Sequence, residues 1–565
     1  QSYLHYIGKT PLVYRTLGEQ LQLTTNKFPN IEAIVSCSES KRLTFSQVLD
    51  KVDRLAAGFH QLGLVKGDRI GIWAPNTVSW YLTMMAAARA GLILVGLNPA
   101  FQVPEMTYCL QKVGVKAIVT IDSYKTQNYC QMLNEIVPEV NKLKANNSTG
   151  NNNNNHENEP LSTIIVDSNE KFPGTINFND LISSSTTEQI AKIERFQTEI
   201  CPDQGCNLQF TSGTTGHPKA ALLSHYNYVN NGLHIGAKHE FDQKQHRICV
   251  QVPLFHAYGT VIATAASISY GTTMVLPAPG FSPKDSVKAI HEEKCTTVYG
   301  TPTMYVDLIA HVKESGTKIN CLDNAVTGGA PCSPKLFEQM KSTLNAKKVK
   351  TVFGMTETSA VIFQSHDQET TDQVLTTVGH IQDHIEAKVV DEKGHTVPFG
   401  TPGELCIRGY ATMLGYWNDE LKTKEMISYD KWLKTGDQFI LLEDGYGKIV
   451  GRIKEMIIRG GENLFPKEIE DFLNAHPNIL ETHCVGIPDE RMGEEVCSFI
   501  RLKNSAQPLN RDDIKEFCKG KLAHFKIPKY VEIVDQFPKT TSGKIQKFKL
   551  IQQFNEHQMA GKIKQ

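Results

Sequence analysis

Apolar and polar residues along this chain keep two rhythms, and the switches between them outline the fold. Between 44 and 98 the segment SQVLDKVDRLAAGFHQLG has apolar residues at helical spacing, and RIGIWAP is an apolar run of strand length. SWYLTMMAAARAG is helical again and LILVGLN is a second strand. KAIVTID, STIIVD, TMVLPA and TTVYG repeat the buried-strand signature, with helical segments such as DSVKAIHEEK between some of them. This alternation predicts an α/β fold: a large N-terminal domain of mixed and parallel sheets flanked by helices. Near residue 450 the character changes. GRIKEMIIRGGEN is dense in charge and glycine, and FPKEIEDFLNAH then reads as a helix with proline near its start. The expectation is a division into 1–453 and 454–565, with a small α+β domain beginning at Lys454.

Two stretches break the rhythm. NNSTGNNNNNHENE (146–159) cannot bury enough apolar surface to order itself and predicts a disordered surface insertion. Residues 248–283 contain no Asp, Glu, Lys or Arg, but prolines, glycines and scattered hydroxyls leave no apolar run of the ~20 residues that a membrane helix needs. A buried strand, helix and strand is predicted there, placed to wall a pocket for an apolar substrate.

Composition narrows the partners. The 565 residues, 40% of them hydrophobic, suffice for a large core in two or more domains. The net charge of -1 gives no global attraction to nucleic acid or anionic membrane. Thirteen cysteines without a CxxC pair argue against a disulfide framework and for a reducing compartment. The chain starts at Gln1 without an initiator methionine, so any targeting segment is expected to have been removed or never included, and the start does not bear on localisation.

The most informative chemistry is TSGTTGHPK at 211–219, which follows CNLQF, a half-buried strand pattern. Gly213 and Gly216 let backbone amides approach an anion, and Thr211, Ser212, Thr214 and Thr215 add hydroxyl donors. His217 and Pro218 complete the run and Lys219 supplies a positive charge. The spacing differs from the Walker loop, so an oligophosphate site on another fold is predicted.

An ordered series follows: PLFHAYG (253–259), TGGAP (327–331), FGMTETS (353–359), KTGD (434–437), GRIKEMIIRGGEN (451–463) and PKTTSGKIQK (538–547). The set resembles the acyl-adenylate-forming superfamily of acyl-CoA synthetases, luciferases and peptide-synthetase adenylation domains, from about Leu43 to Lys549. Through IRGYATMLGYW, KEMIIRGGEN, ERMGEEV and AHFKIPKY it is most similar to the mitochondrial medium-chain acyl-CoA synthetases. The resemblance implies a ligase that uses ATP, Mg²⁺ and coenzyme A to turn a fatty acid into its thioester through an acyl-adenylate, and it implies the mitochondrial matrix.

The same resemblance implies roles. Residues 211–219 become the β,γ-phosphate loop, and Thr356 with Glu357 match the pair whose carboxylate helps hold the metal, with Thr211 beside it. Gly329, Ala330 and Pro331 lie along the adenine, and Phe353 stands where the family usually has a stacking tyrosine. Asp437 accepts the ribose hydroxyls with Arg452 nearby, and Lys544 reaches the α-phosphate and the substrate carboxylate. His256 borders the acyl pocket, Lys454 is the hinge, and Gly460 and Gly461 move toward coenzyme A after rotation. Two other classes share these motifs: a luciferase-like oxidoreductase that oxidises the acyl-adenylate, and a non-catalytic nucleotide-binding protein. The presence of Lys544, Glu357 and Asp437 weighs against the second.

Overall fold

The computed structural model describes all residues except 148–160, 212–217, 331, 367, 460–461, 490, 504–508, 520, 523, 541–542 and 560–565. The predicted alternation of 44–98 is realised as helix Phe45–Gln61, strand Arg69–Trp73, helix Val78–Arg89 and strand Ile93–Leu97. Thr44 starts the first helix through a reciprocal capping box with Gln47. Its apolar stripe of Val48, Val52, Leu55, Ala56 and Phe59 is buried. The second helix is buried on every face, which is why its sequence is apolar throughout, and its one cation, Arg89, is paired with Asp53 at 2.8 Å.

Two large sheets sandwich these helices. The eight-stranded sheet is parallel from Ile176–Asn177 to Gly205–Thr211 and then adds the antiparallel strands Lys219–Ser224 and Gly415–Tyr416. The nine-stranded sheet has a parallel centre in which Thr297–Gly300, Asn324–Gly328 and Lys348–Phe353 lie side by side. The uncharged stretch forms strand Arg247–Val250, a wide π-helical turn Tyr258–Ala265, helix Ala266–Tyr270 and strand Thr273–Leu276, as predicted. No helix among the described residues is long and apolar enough to cross a membrane.

A third, antiparallel sheet joins Tyr3–Tyr6 to Ile385–Val390, Gly403–Gly409, Leu433–Leu441 and Gly447–Arg452. The C-terminal segment builds its own sheet from Ile457–Arg459, Glu462–Leu464, Ile479–Asp489, Gly493–Leu502 and Tyr530–Ile533. That sheet buries Ile469 and Leu473 of helix Pro466–Asn474 in one cluster, and Leu550 and Phe554 of helix Lys547–Met559 in another. The Asn-rich insertion differs from expectation at its start, because helix Tyr129–Asn147 carries residues 146 and 147. Residues 148–159 of that insertion lie outside the described residues.

Candidate active site

The site assembles where strand ends from three sheets meet a loop of the C-terminal segment. In the nine-stranded sheet, the C-terminal ends of three adjacent parallel strands deliver Thr301 and Thr303, then Gly329, then Phe353 and Glu357. This is the crevice at which open α/β sheets bind ligands. Gly329 needs its glycine for its φ of +81°, and an ideal Cβ there would sit in ordinary contact with Lys544 Cε, 4.0 Å away. Ala330 beside it is half-buried. Phe353 packs one side against Phe439 at 5.5 Å between ring centroids.

Glu357 sits in the tight turn Thr356–Thr358, held against backbone strain. Ser359 and Ala360 after it have φ of +51° and +80°, conformations that non-glycine residues adopt only when neighbours impose them. The neighbours here are explicit. Ser359 Oγ donates to Ala411 O (2.7 Å), and Asn231 Nδ2 donates to the carbonyls of Ser359 (2.7 Å) and Val361 (3.1 Å). The carboxylate of Glu357 is buried and accepts a 2.7 Å hydrogen bond from Tyr416 Oη.

The two ends of the phosphate-type run lie on paired strands. Strands Gly205–Thr211 and Lys219–Ser224 pair antiparallel, with Thr211 opposite Lys219. Ser212, Gly213, Thr214, Thr215, Gly216 and His217 lie outside the described residues, as do Pro331, Gly460 and Gly461. The Pro218 carbonyl accepts from Tyr108 Oη at 3.2 Å, and Lys219 Nζ donates to Tyr416 Oη at 3.1 Å.

The antiparallel sheet supplies the next pair. Asp437 and Arg452 are register partners on neighbouring strands, and Arg452 Nε lies 2.8 Å from Asp437 Oδ1. Burial pushes the Asp437 carboxyl up to about 6, against the pull of Arg452 and Lys544. Lys454, two residues on, is exposed in the short turn Ile453–Glu455.

Lys544 arrives on a turn that closes on itself. Thr540 N–H donates to the Lys544 carbonyl (2.7 Å), and Gly543 adopts φ +83°. The turn docks through Thr303 Oγ1, which donates to the Gly543 carbonyl at 2.9 Å. The Lys544 side chain is reachable by water yet crowded by protein, and that crowding lowers its pKa. Arg452 pushes in the same direction, while Glu357, Asp437 and Glu455 push back. His256 belongs to the same site: burial, aided by the Lys544 charge, takes its imidazole down to about 3. Its Nδ1 accepts from Tyr258 N–H at 3.2 Å, so the neutral ring carries its proton on Nε2.

Lys544, Glu357, Asp437, Arg452, His256 and Gly329 thus converge from positions up to 288 residues apart. The motifs did not announce Tyr416, Asn231 and Thr303. Each acts through contacts between distant segments, and only the GYW pattern around Tyr416 marked a local aromatic. Among the described residues no three His, Cys, Asp or Glu side chains gather into a metal cage.

An α/β body whose strand ends gather polar and charged groups with a loop of the C-terminal segment is the architecture of an adenylate-forming type of enzyme. Sequence comparison agrees. Residues 21–417 match the family model of AMP-binding enzymes, and residues 468–544 match that of the AMP-binding enzyme C-terminal domain. The human mitochondrial medium-chain acyl-CoA ligase ACSF2 is 42% identical over 98% of this chain and 90% of that protein. The putative acyl-CoA synthetase YngI of Bacillus subtilis is 36% identical over 96% and 98%. The chain belongs to the AMP-binding enzyme family and, within it, to the ATP-dependent acyl-CoA ligases. The fold is also that of an anthranilate CoA ligase solved with anthranoyl-AMP, with a TM-score of 0.82 at 24% identity over 96% of this chain and 98% of the other. ATP-bound MatB from Rhodopseudomonas palustris gives 0.79 at 24% over 95% and 99%.

Proposed function

We propose that this ligase activates a medium-chain fatty acid in the mitochondrial matrix, working as two bodies that meet near Lys454. The carboxylate attacks the α-phosphorus of ATP, forming a P–O bond to the acyl oxygen and breaking the bond to the pyrophosphate leaving group. The thiol of coenzyme A, losing its proton, then attacks the acyl carbon, and AMP departs with the electron pair of the broken C–O bond. The first step needs no general base, because the acid is already ionised at neutral pH. It needs charge neutralisation and alignment.

The observation that carries this reading is the meeting of Lys544 with Asp437, Arg452 and Glu357 in one cleft. Lys544 neutralises charge between the α-phosphate and the incoming carboxylate. Asp437 accepts the ribose hydroxyls with Arg452 at its side, Gly329 and Ala330 border the adenine with Phe353, and the 211–219 run receives the β- and γ-phosphates. The buried carboxylate of Glu357 is a hard oxygen donor of the kind that suits Mg²⁺, an ion that keeps waters and substrate phosphates as further ligands. Glu357 and Thr211 would hold that ion, and bound there it would offset phosphate charge. Neutral His256 and the uncharged 248–283 stretch suit an apolar acyl chain, since neither strands a charge beside it.

Pyrophosphate release with ATP and Mg²⁺, run from acetate to stearate with and without coenzyme A, tests the proposal. The expected result is a maximum at medium length with turnover sustained only by coenzyme A. A maximum at acetate or stearate would refute the medium-chain assignment.

A further inference from the structure

Tyr416 stands between two charged groups that face the nucleotide, and its hydroxyl touches both. Oη donates to Glu357 Oε1 at 2.7 Å and accepts from Lys219 Nζ at 3.1 Å, and that ammonium lies 4.4 Å from the Tyr416 ring centroid. A hydroxyl has one proton, so the charges fix its direction: the carboxylate can only accept and the ammonium can only donate. Met426 Sδ, 2.9 Å from Oη, completes the surroundings of the hydroxyl.

The backbone holds this bridge as firmly as the side chains do. Gly415–Tyr416 is the last strand of the eight-stranded sheet and pairs with Lys219–Ser224, the strand that leaves the phosphate-type run. Trp417 N–H donates to Ala220 O (2.8 Å), Met413 N–H to Glu357 O (2.9 Å), and Tyr416 N–H to Thr423 Oγ1 (2.9 Å). One short segment therefore fixes the backbone of Ala220, next to Lys219, and of Glu357, while its tyrosine joins the Lys219 and Glu357 side chains.

From this we infer that Tyr416 is a positioning residue for adenylation, spacing Lys219 and Glu357 so that neither neutralises the other. No direct ion pair joins Lys219 to Glu357. A lysine ammonium has three protons, so the one given to Tyr416 leaves two for phosphate oxygens, and Glu357 keeps a second oxygen for the metal side. Without the hydroxyl the two charges are free to close on each other and leave the triphosphate. This inference rests on the roles proposed above for Lys219 and Glu357.

Calorimetry on the full chain with Tyr416→Phe, titrating ATP and AMP separately in Mg²⁺, tests it. AMP lacks the β- and γ-phosphates, so it reports on the rest of the site. The expected result is ATP binding weakened about ten- to a hundredfold, the worth of hydrogen bonds to charged groups, with AMP binding within about twofold. In a Lys219→Met background the same change should cost less than about threefold. Thr423→Val, which loosens the strand and spares the hydroxyl, should lower the melting temperature and leave the ATP-to-AMP affinity ratio alone.

Equal weakening of ATP and AMP, no weakening of ATP, or additive losses in the double variant would overturn the inference. Should the phenylalanine variant not fold, Lys219→Met and Glu357→Gln, singly and combined, read the same bridge. Less-than-additive losses of ATP affinity support it and additive losses refute it. A wild-type protein that binds no ATP would overturn both this inference and the proposed function. Normal wild-type binding with an unselective Tyr416→Phe would overturn this inference alone.

Discussion

Gly543→Ala separates docking of the lysine turn from the chemistry it serves. An ideal Cβ on Gly543 would lie 2.7 Å from Thr301 Oγ1 and 3.2 Å from Thr303 Oγ1, and φ there is +83°. Holding an alanine in that region costs about 1–2 kcal/mol. Forcing the turn away forfeits the Thr303–Gly543 hydrogen bond, about another 0.5–1.5 kcal/mol. The penalty falls on the docked state, because only there do the two threonines bar the methyl while an undocked turn relaxes its φ. Roughly 2–3 kcal/mol corresponds to about a 30- to 150-fold loss in docked population, and adenylation should fall by as much. Pyrophosphate release from acid and ATP measures that step, and thioester formation from supplied acyl-AMP measures the other, which should stay within about twofold. Adenylation within about threefold of wild type, or equal loss in both steps, would refute the reasoning. Thr303→Val, which removes the hydrogen bond alone, should cost about two- to tenfold.

The remaining expectations follow from the same geometry. Lys544→Ala should abolish acyl-AMP formation and largely spare thioester formation from supplied acyl-AMP, whereas Lys454→Pro should spare adenylation and stall thioesterification; both are read by the two assays above. Asp437, raised to about 6 by burial, holds its proton more tightly folded than unfolded, so its contribution to stability falls as pH rises from about 4 to about 6 and is level above. With the proposed ribose contact of Asp437, ATP affinity should run the other way, weakening about tenfold per pH unit below about 6, a dependence that Asp437→Asn should remove in calorimetric titrations. Asn231→Ala leaves the Ser359 and Val361 carbonyls without their donor and should lower unfolding free energy by about 1–3 kcal/mol in denaturant melts.

What the sequence disclosed follows from which forces are local. Helix Phe45–Gln61 and strand Arg69–Trp73 were legible because a buried face imposes its period on consecutive residues. The antiparallel sheet was not, since its first strand, Tyr3–Tyr6, pairs with Ile385–Val390, and no local pattern encodes a partner so far away. The site divides in the same way. Asp437, Glu357 and Lys544 stood in motifs because turns and strand ends fix their neighbours in sequence. Tyr416 stood in sight within GYW, yet an aromatic between Gly and Trp reads first as packing, and only the strand pairing with Lys219–Ser224 turns it into a bridge. The π-helical turn after His256 was legible as helix but not as π, because apolar spacing over so few residues does not separate a wide turn from an α-helical one.

The contacts that dock the C-terminal segment bear on how one cleft could serve two reactions. Thr303 holds the Gly543 carbonyl, Arg501 pairs with Asp307 at 3.2 Å, and Lys335 Nζ donates to the carbonyls of Asn474 (2.8 Å) and His476 (3.3 Å). All of these are polar, and water can replace each of them on separation, so each adds only about 0–1.5 kcal/mol net. An apolar latch would behave differently. At about 25 cal/mol per Å², a few hundred Å² of buried apolar surface would hold the closed form by several kcal/mol and slow every release. These polar contacts each hold the docked turn only weakly, while the glycine turn against Thr301 and Thr303 keeps its position narrow in geometry. The proposed alternation between half-reactions calls for that pairing, with Lys544 able both to arrive in one place and to leave it. If so, replacing Asp307 by an apolar residue that packs against the C-terminal segment should slow thioester formation while leaving adenylation intact.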